Sequence, residues 1–151
     1  MRSGVSDLTD HLGYWLRLVS NHVSQGFARK VEARGVTVAE WVLMRQLLDT
    51  EPLAPSRLAA RMGMTRGAVT KLADRLIAKS LLERASNPRD GRGQTLALTA
   101  TGRALTPELA ALADANDAEF FDHLASDDRA ALLRLLRSIV DKRGLTALPV
   151  D

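Results

Sequence analysis

The sequence predicts a mainly α fold with one small β-hairpin. Three observations carry that expectation. A helix-turn-helix can be read between Pro55 and Lys79, the apolar period drops from 3.6 to 2 directly after it, and long amphipathic stretches stand towards both ends of the chain.

The first element reads as one long helix, roughly Asp7 to Ala33, ended by Gly35. Leu8, Leu12, Trp15, Leu16, Val19, Val23, Phe27 and Val31 recur every three or four residues, as one buried face requires. Tyr14, Trp15 and Arg17 stand close together there and can line a pocket. Trp15 lies on the apolar stripe, so a core position is the stronger expectation for it. Thr37-Val-Ala-Glu40 reads as a capping box, the hydroxyl and the carboxylate satisfying each other's backbone N–H. Val36 and Trp41 occupy the two positions of a hydrophobic staple around it, which gives Trp41 a structural task. This second helix runs to about Asp49, and Pro52 closes it off.

In the helix-turn-helix itself, Pro55 suits a first helical position, where its missing N–H costs nothing. Gly63 suits the left-handed residue that ends that helix, and Thr65 is a good N-cap for the next. At 100° per residue, Val69, Leu72, Ala73 and Leu76 share one side of the second helix, with Ile77 at its edge. Gly67, Lys71, Asp74, Arg75 and Ala78 share the other; Thr70 flanks it and Arg66 sits in the first turn. Such a helix packs one face on its domain and carries the other into a major groove, N-terminal end first. Lys and Arg donate to guanine or phosphate, and Thr does either and touches a thymine methyl. Taken alone, the helix is explained nearly as well as a solvated amphipathic surface helix.

Leu81 to Ala85 and Thr95 to Thr99 alternate as two short strands. Ser86 to Gln94 between them is rich in turn residues and carries Arg89 and Arg92 at its tip. A basic hairpin directly after a helix-turn-helix is a wing; being marginal alone, it must pack on the helices. Thr99 can cap a helix running to about Leu124, with a kink expected at Pro107. Ser126 reads as the cap of the last helix, with Asp127 and Asp128 in its positive first turn. Its Leu132, Leu133, Leu135, Leu136, Ile139 and Val140 cover an arc of roughly 160°. A two-helix contact needs less, so the surplus points to a partner chain. From Gly144 a short tail is expected. The predicted architecture is therefore a winged helix-turn-helix with N- and C-terminal dimerisation helices. Residues 36–99 form the DNA-binding lobe, and residues 1–35 with 100–151 form the dimerisation region.

Charge distribution sharpens this reading. The formal net charge is only +3. Between Ser56 and Arg92, however, nine basic residues face three acidic ones, a balance of +6, whereas Thr106 to Ala131 carries seven acids and one Arg, −6. A basic centre beside an acidic later segment suits a polyanion binder. There is no Cys, hence no disulfide framework and no thiolate metal site, which fits a cytoplasmic location. Neither a signal peptide nor a membrane-spanning run is found. His11 and His22 on one helix stand about 16 Å apart by helix rise and cannot share a metal, and His123 has no ligand spacing around it. No nucleophile elbow, phosphate-binding glycine loop or Cys nucleophile is present. No enzyme activity, metal or cofactor is expected.

At this point the chain resembles the MarR family of winged helix-turn-helix regulators over nearly its whole length. The helix order is one reason. Asn-Pro-Arg-Asp90-Gly-Arg92 followed by Leu98-Thr-Ala-Thr-Gly102 is the sharper one, being similar to the family's Asp-x-Arg wing and the Leu-Thr-x-x-Gly after it, with Gly63, Val69 and Leu76 in register. Three positions depart from the family pattern. Gly91 stands where a second Arg is common, Ser80 where Gly is usual, and Ala54 where a capping Ser or Thr is usual.

The resemblance implies a homodimer joined through the first and last helices and a repressor on a palindromic operator in double-stranded DNA. It further implies release by a small phenolic or aromatic carboxylate effector. On this reading Ser56, Arg57, Thr65, Arg66, Gly67, Thr70, Lys71 and Arg75, with Arg89, Asp90 and Arg92 of the wing, meet DNA, Asp90 orienting Arg92. By location in the family, the effector is expected near Tyr14, Trp15, Arg17, Trp41 and Met44. A non-specific architectural DNA binder of the same fold is the alternative. A specific site should bind about 10³-fold or more tighter than random duplex, and an architectural protein should show no such ratio.

Overall fold

The computed structural model describes residues 4–86 and 93–151. A short 3₁₀ turn, Leu8–Asp10, precedes helix α1 (Leu12–Glu32), followed by α2 (Val38–Leu48), α3 (Pro55–Met62), α4 (Arg66–Ala78), strands β1 (Leu82–Ser86) and β2 (Gln94–Leu98), then α5 (Ala100–Phe121) and α6 (Ser126–Arg143). This is the mainly α architecture with one antiparallel hairpin that the sequence predicts. The strands pair from Leu82 opposite Leu98 to Ser86 opposite Gln94. Both are shifted one residue towards the turn from the expected strands, because Leu81 and Thr99 serve the neighbouring helices and Ser86 and Gln94 pair instead.

The core occupies the middle of the chain. Leu43, Met44, Leu47, Leu58, Met62, Val69, Leu76, Leu82, Leu96 and Leu98 are all buried together. Each fully buried aliphatic side chain contributes about 1.5–3 kcal/mol over an exposed one. α1 adds Val31 and α5 adds Leu109, whereas α6 buries nothing. The hairpin docks through Leu82, Leu96 and Leu98 and through a backbone bridge that sequence patterning does not suggest. Leu53, between α2 and α3, exchanges hydrogen bonds with Leu96, N–H to O at 3.1 Å and 2.7 Å.

Two junctions hold the lobe together. In the first, the Thr37–Glu40 capping box forms as expected, each side chain accepting from the other's backbone N–H. Glu40 is 0% exposed, and Lys79 at the end of α4 reaches both its carboxylate oxygens at 2.9 and 2.8 Å. The same ammonium donates to the carbonyl of Gly35, beyond the end of α1. One cation thus ties three helix ends. Burial alone would raise the Glu40 pKa. The Lys79 hydrogen bond and charge and the Thr37 bonds outweigh it, holding the carboxyl below its ordinary 4.5.

In the second junction, α4 ends in a Schellman turn. Ser80 N–H donates to Ile77 O and Leu81 N–H to Leu76 O, each at 2.9 Å. That turn needs a left-handed residue, and Ser80 has φ 60°, the one non-glycine with positive φ among the described residues. Thr99 caps α5 by accepting from Gly102 N–H, while its hydroxyl donates to Ser80 O. A Cβ on Gly102 would stand 2.1 Å from Leu81 O, so only glycine lets α5 start there. This is the physical content of the Leu-Thr-x-x-Gly run.

Four expectations need correction. The first helix is broken at His11, which is extended (φ −93°, ψ 127°). Asp7 N–H bonds to Asp10 Oδ2, and this local side-chain bond competes with helix continuation. Trp15 is not core: it is 49% exposed, with Tyr14, Leu16, Leu18 and Val19 exposed beside it. The stripe is apolar throughout, but from Leu12 to Val19 it stays exposed, and its later residues Phe27 and Val31 are the ones that meet the core. Ser126 is the first helical residue of α6 rather than its cap, because Ala125 O already accepts from Arg129 N–H and takes the cap position. Finally, the segment after Gly144 is no free tail: Leu148 and Val150 pack on the core. α5 continues as helix through Pro107.

The junctions generate two stability predictions. Ser80→Gly should leave the melting temperature unchanged or raise it by the equivalent of up to about 1 kcal/mol, since relief of left-handed strain offsets the added chain entropy. Thermal unfolding checks this, and a clear loss would contradict the strain.

Lys79→Met leaves Glu40 buried without its cation. It should cost about 2–3 kcal/mol at pH 7, below the full range for a buried pair because Lys79 is itself 39% exposed. Glu40, with its lowered pKa, stabilises the native protein above pH 4.5, and this contribution is lost as pH falls through the folded value. In Lys79→Met, burial acts against the charge, and protonation relieves the defect. Urea unfolding should therefore show the gap between the two proteins narrowing from pH 7 to pH 4. An equal gap at both would mean that the Glu40 charge is not its source.

Candidate nucleic-acid interface

α3 and α4 form the helix-turn-helix where the sequence puts it. Gly63 is left-handed at φ 65°, and Thr65 caps α4 by accepting from Ala68 N–H at 3.1 Å. Ala54 makes no side-chain bond at the start of α3. The inward face of α4 is Val69, Leu72, Ala73 and Leu76, all buried. Its outward face presents Arg66, Gly67, Lys71 and Arg75, all exposed, with Thr70 half-buried; Ser56, Arg57 and Thr65 are exposed as well. Arg57, Arg66, Lys71 and Arg75 have no ion-pair partner among the described residues. With Arg61 at the end of α3, also exposed and without an ion-pair partner among the described residues, five guanidinium or ammonium groups are thus left to solvent on α3 and α4. The Thr70 hydroxyl donates to Arg66 O at 2.9 Å, so it meets a ligand as an acceptor and a methyl rather than as a donor. Arg89, Asp90 and Arg92 lie outside the described residues.

The sequence reading overlooked two charges. Lys79 belongs to the basic stretch by count, but it is held by Glu40 and Gly35. Arg84 on β1 reaches Asp74 Oδ1 at 2.5 Å, offsetting the one acidic residue on the outward face of α4 and joining the wing to that helix. Strand alternation puts Arg84 on a defined face of β1; which helix it meets is set by the docking of the hairpin.

The five residues expected around an effector do not share one site within the chain. Met44 is 0% exposed in the core. Tyr14 and Trp15 pack edge to face with ring centres 5.2 Å apart on the exposed stripe, where Trp15 Nε1 donates to Thr9 O, and Arg17 is exposed nearby on α1. Trp41 alone of the five lines a cleft, of about 300 Å³, between α1, α2 and α5. Phe27 meets Trp41 there edge to face at 6.3 Å. Val23, Val38, Val42 and Ala113 add apolar wall, and Ser24, Asn116 and Asp117 add polar atoms. Pro149 and Asp151 complete the lining from the segment after α6. Asp117 is paired with Arg129, and Asn116 accepts from Lys30, which Glu119 also holds.

Among the described residues, no helix is long and apolar enough to cross a membrane. No group of three or more His, Cys, Asp or Glu among them stands close enough to hold a metal ion.

Residues 34–93, which span most of the lobe, match the model of the MarR family. The Escherichia coli multiple antibiotic resistance protein MarR is 25% identical over 130 residues, covering 85% of this chain and 90% of that protein. A mutant of it crystallised with operator DNA is similar at TM-score 0.77, with 26% identity over 89% of this chain and 99% of that one. An HTH-type transcriptional repressor of Mycobacterium bovis is 27% identical over 85% of this chain and 92% of its own length. Bordetella bronchiseptica BpsR, whose DNA binding is regulated by 6-hydroxynicotinic acid, is 25% identical over 91% of this chain and 99% of that one, at TM-score 0.78.

Proposed function

We propose that this chain, which belongs to the MarR family of winged helix-turn-helix transcriptional regulators, acts as a homodimeric repressor of a two-fold operator and leaves it when a small phenolic molecule enters the cleft. The observation that carries this reading is the outward face of α4. Arg66, Lys71 and Arg75 stand exposed on it without ion-pair partners among the described residues, and the one acid there is offset by Arg84. A face of this kind suits base edges and phosphates.

Dimerisation is supported by the unpartnered apolar stripes of α1 and α6. Leu12, Trp15, Leu16 and Val19 on one, and Leu132, Leu133, Leu135, Ile139 and Val140 on the other, are exposed. Apolar exposure on this scale marks an interaction surface. A second copy covering it makes residues 1–35 and 100–151 the dimerisation region and leaves 36–99 as the DNA-binding lobe. Wing residues Arg89 and Arg92 add phosphate or minor-groove contacts, with Asp90 orienting Arg92.

The cleft favours the neutral half of the expected effector class. Its walls are aromatic and aliphatic, and of its two lining carboxylates Asp117 is paired with Arg129, which leaves Asp151 as the one without an ion-pair partner among the described residues. A phenol fits such walls better than an aromatic carboxylate, which meets like charge. The regulation of BpsR by 6-hydroxynicotinic acid supports a hydroxylated aromatic effector; that molecule also carries a carboxyl group, so the preference for a neutral ring rests on the charge of Asp151 alone.

Selecting the preferred site from a random DNA pool, then comparing it with scrambled duplex at several salt concentrations, tests the proposal. A ratio near one supports the architectural alternative instead. With the selected site in hand, Arg66→Ala should cost about 1–3 kcal/mol and relax preference at one position per half-site. Arg92→Ala should weaken specific and scrambled DNA alike, lowering the salt slope by about one unit for each phosphate that the side chain neutralises. The opposite pattern would mean the two elements are assigned the wrong way round. For the cleft, titrating vanillin should quench Trp fluorescence and weaken DNA binding over the same range, with salicylate weaker than vanillin. Quenching with no change in DNA binding would reduce the cleft to a fortuitous pocket.

A further inference from the structure

One short segment touches both the cleft and the helix-turn-helix. Ala147 lies on the turn between α3 and α4, so closely that a Cβ on Gly63 would stand 2.7 Å from Ala147 Cα. Gly63 is therefore required twice, for its left-handed backbone and for the chain crossing over it. The next N–H, of Leu148, donates at 3.3 Å to Met62 O, one of the carbonyls left over at the end of α3. Leu148 and Val150 then face the core, while Pro149 and Asp151 line the cleft. This alternation is that of an extended segment with two covered sides.

We propose that residues 145–151 form a strap that walls the cleft and holds the helix-turn-helix turn at once, so that opening one releases the other. The inference rests on the reading of the cleft as the effector site and adds the route by which its occupancy reaches the DNA-binding helices. A ligand that fills the cleft pushes against Pro149 and Asp151. Leu148 lies between them and Ala147, so the segment cannot be displaced at 149–151 without straining the bond to Met62 O. Losing that bond removes the Ala147 contact from Gly63, the left-handed residue at the turn between α3 and α4. Beyond Leu145, whose N–H donates to Val140 O at the end of α6, the strap is held by one backbone hydrogen bond and two partly buried side chains among the described residues. It therefore belongs to the low-stability end of the structure, from which switching elements are drawn. It also makes Pro149 and Asp151 determinants of which ligand enters, with Asp151 disfavouring anions.

The test needs neither DNA nor ligand, so its failure is distinct from failure of the functional reading. It uses the full chain in a Trp15→Phe background, where Trp41 is the remaining tryptophan. In the parent protein the Leu148 amide should exchange at least about tenfold more slowly than in an unfolded chain. At the turn end, Ala147→Glu should raise acrylamide quenching of Trp41 about twofold, although the substitution is remote from the cleft lining. At the cleft end, Pro149→Glu puts a further carboxylate beside Asp117 and Asp151. It should speed exchange of the Leu148 and Met64 amides about threefold or more. Unprotected Leu148 in the parent protein would overturn the strap. So would Ala147→Glu with unchanged Trp41 quenching, or Pro149→Glu with an unchanged Met64 amide.

Discussion

The lobe depends on one ion pair whose carboxylate is buried. Glu40 does two things at once: it closes the capping box that starts α2 and receives the ammonium that ends α4. Lys79 in turn completes the hydrogen bonding of Gly35 beyond α1. Removing a carboxylate from water is costly, and it is tolerated here because every partner is a charged or backbone donor with normal geometry. The geometry is specific as well as stabilising. A slip of α4 by one residue along its axis would move Lys79 by about 1.5 Å and break three hydrogen bonds together. The outward face of α4 is thus indexed against α1 and α2 by an interaction on its inward side.

What could be read from the sequence, and what could not, divides by range. The Thr37–Glu40 box, the Gly63 turn and the Thr65 and Thr99 caps are all written within four residues, and all appear as expected. Ser80 is a subtler case. The family resemblance marks it as a glycine position, and the backbone keeps its positive φ with serine in place. The errors fall where local signals compete. Asp7 and Asp10 form a turn of their own that breaks the first helix, and Ala125 rather than Ser126 takes the cap position of the last. Trp15 shows a different limit. Periodicity identifies an apolar face, but it does not say whether the cover comes from the same chain.

The candidate site was legible on α4 for the same reason and obscure elsewhere. The two faces of one helix are fixed by 100° per residue, so Lys71 and Arg75 were bound to share the side opposite Val69 and Leu76, with Arg66 in the first turn. The partners of Lys79, Arg84 and Leu53 lie on other elements, and nothing in their own neighbourhoods names them. Location by family analogy put Trp41 on a cleft wall but also included Met44, which is sealed in the core. Pro149 and Asp151 carry no motif, and only the folded chain brings them to that cleft.

The bridge between Leu53 and Leu96 bears on how the lobe is assembled. It closes a loop that contains both helices of the helix-turn-helix and the whole of β1. Loop closure must be met in chain entropy before the bridge is formed, so this pairing belongs to the late, non-local part of folding. During synthesis α3 and α4 leave the ribosome well before β2, and until β2 follows, the backbone of Leu53 lacks its two hydrogen bonds. The two helices of the helix-turn-helix and the hairpin beside them are in this sense one cooperative unit. A fragment cut after α4 would keep every residue of the helix-turn-helix and still lack the strand that completes its floor.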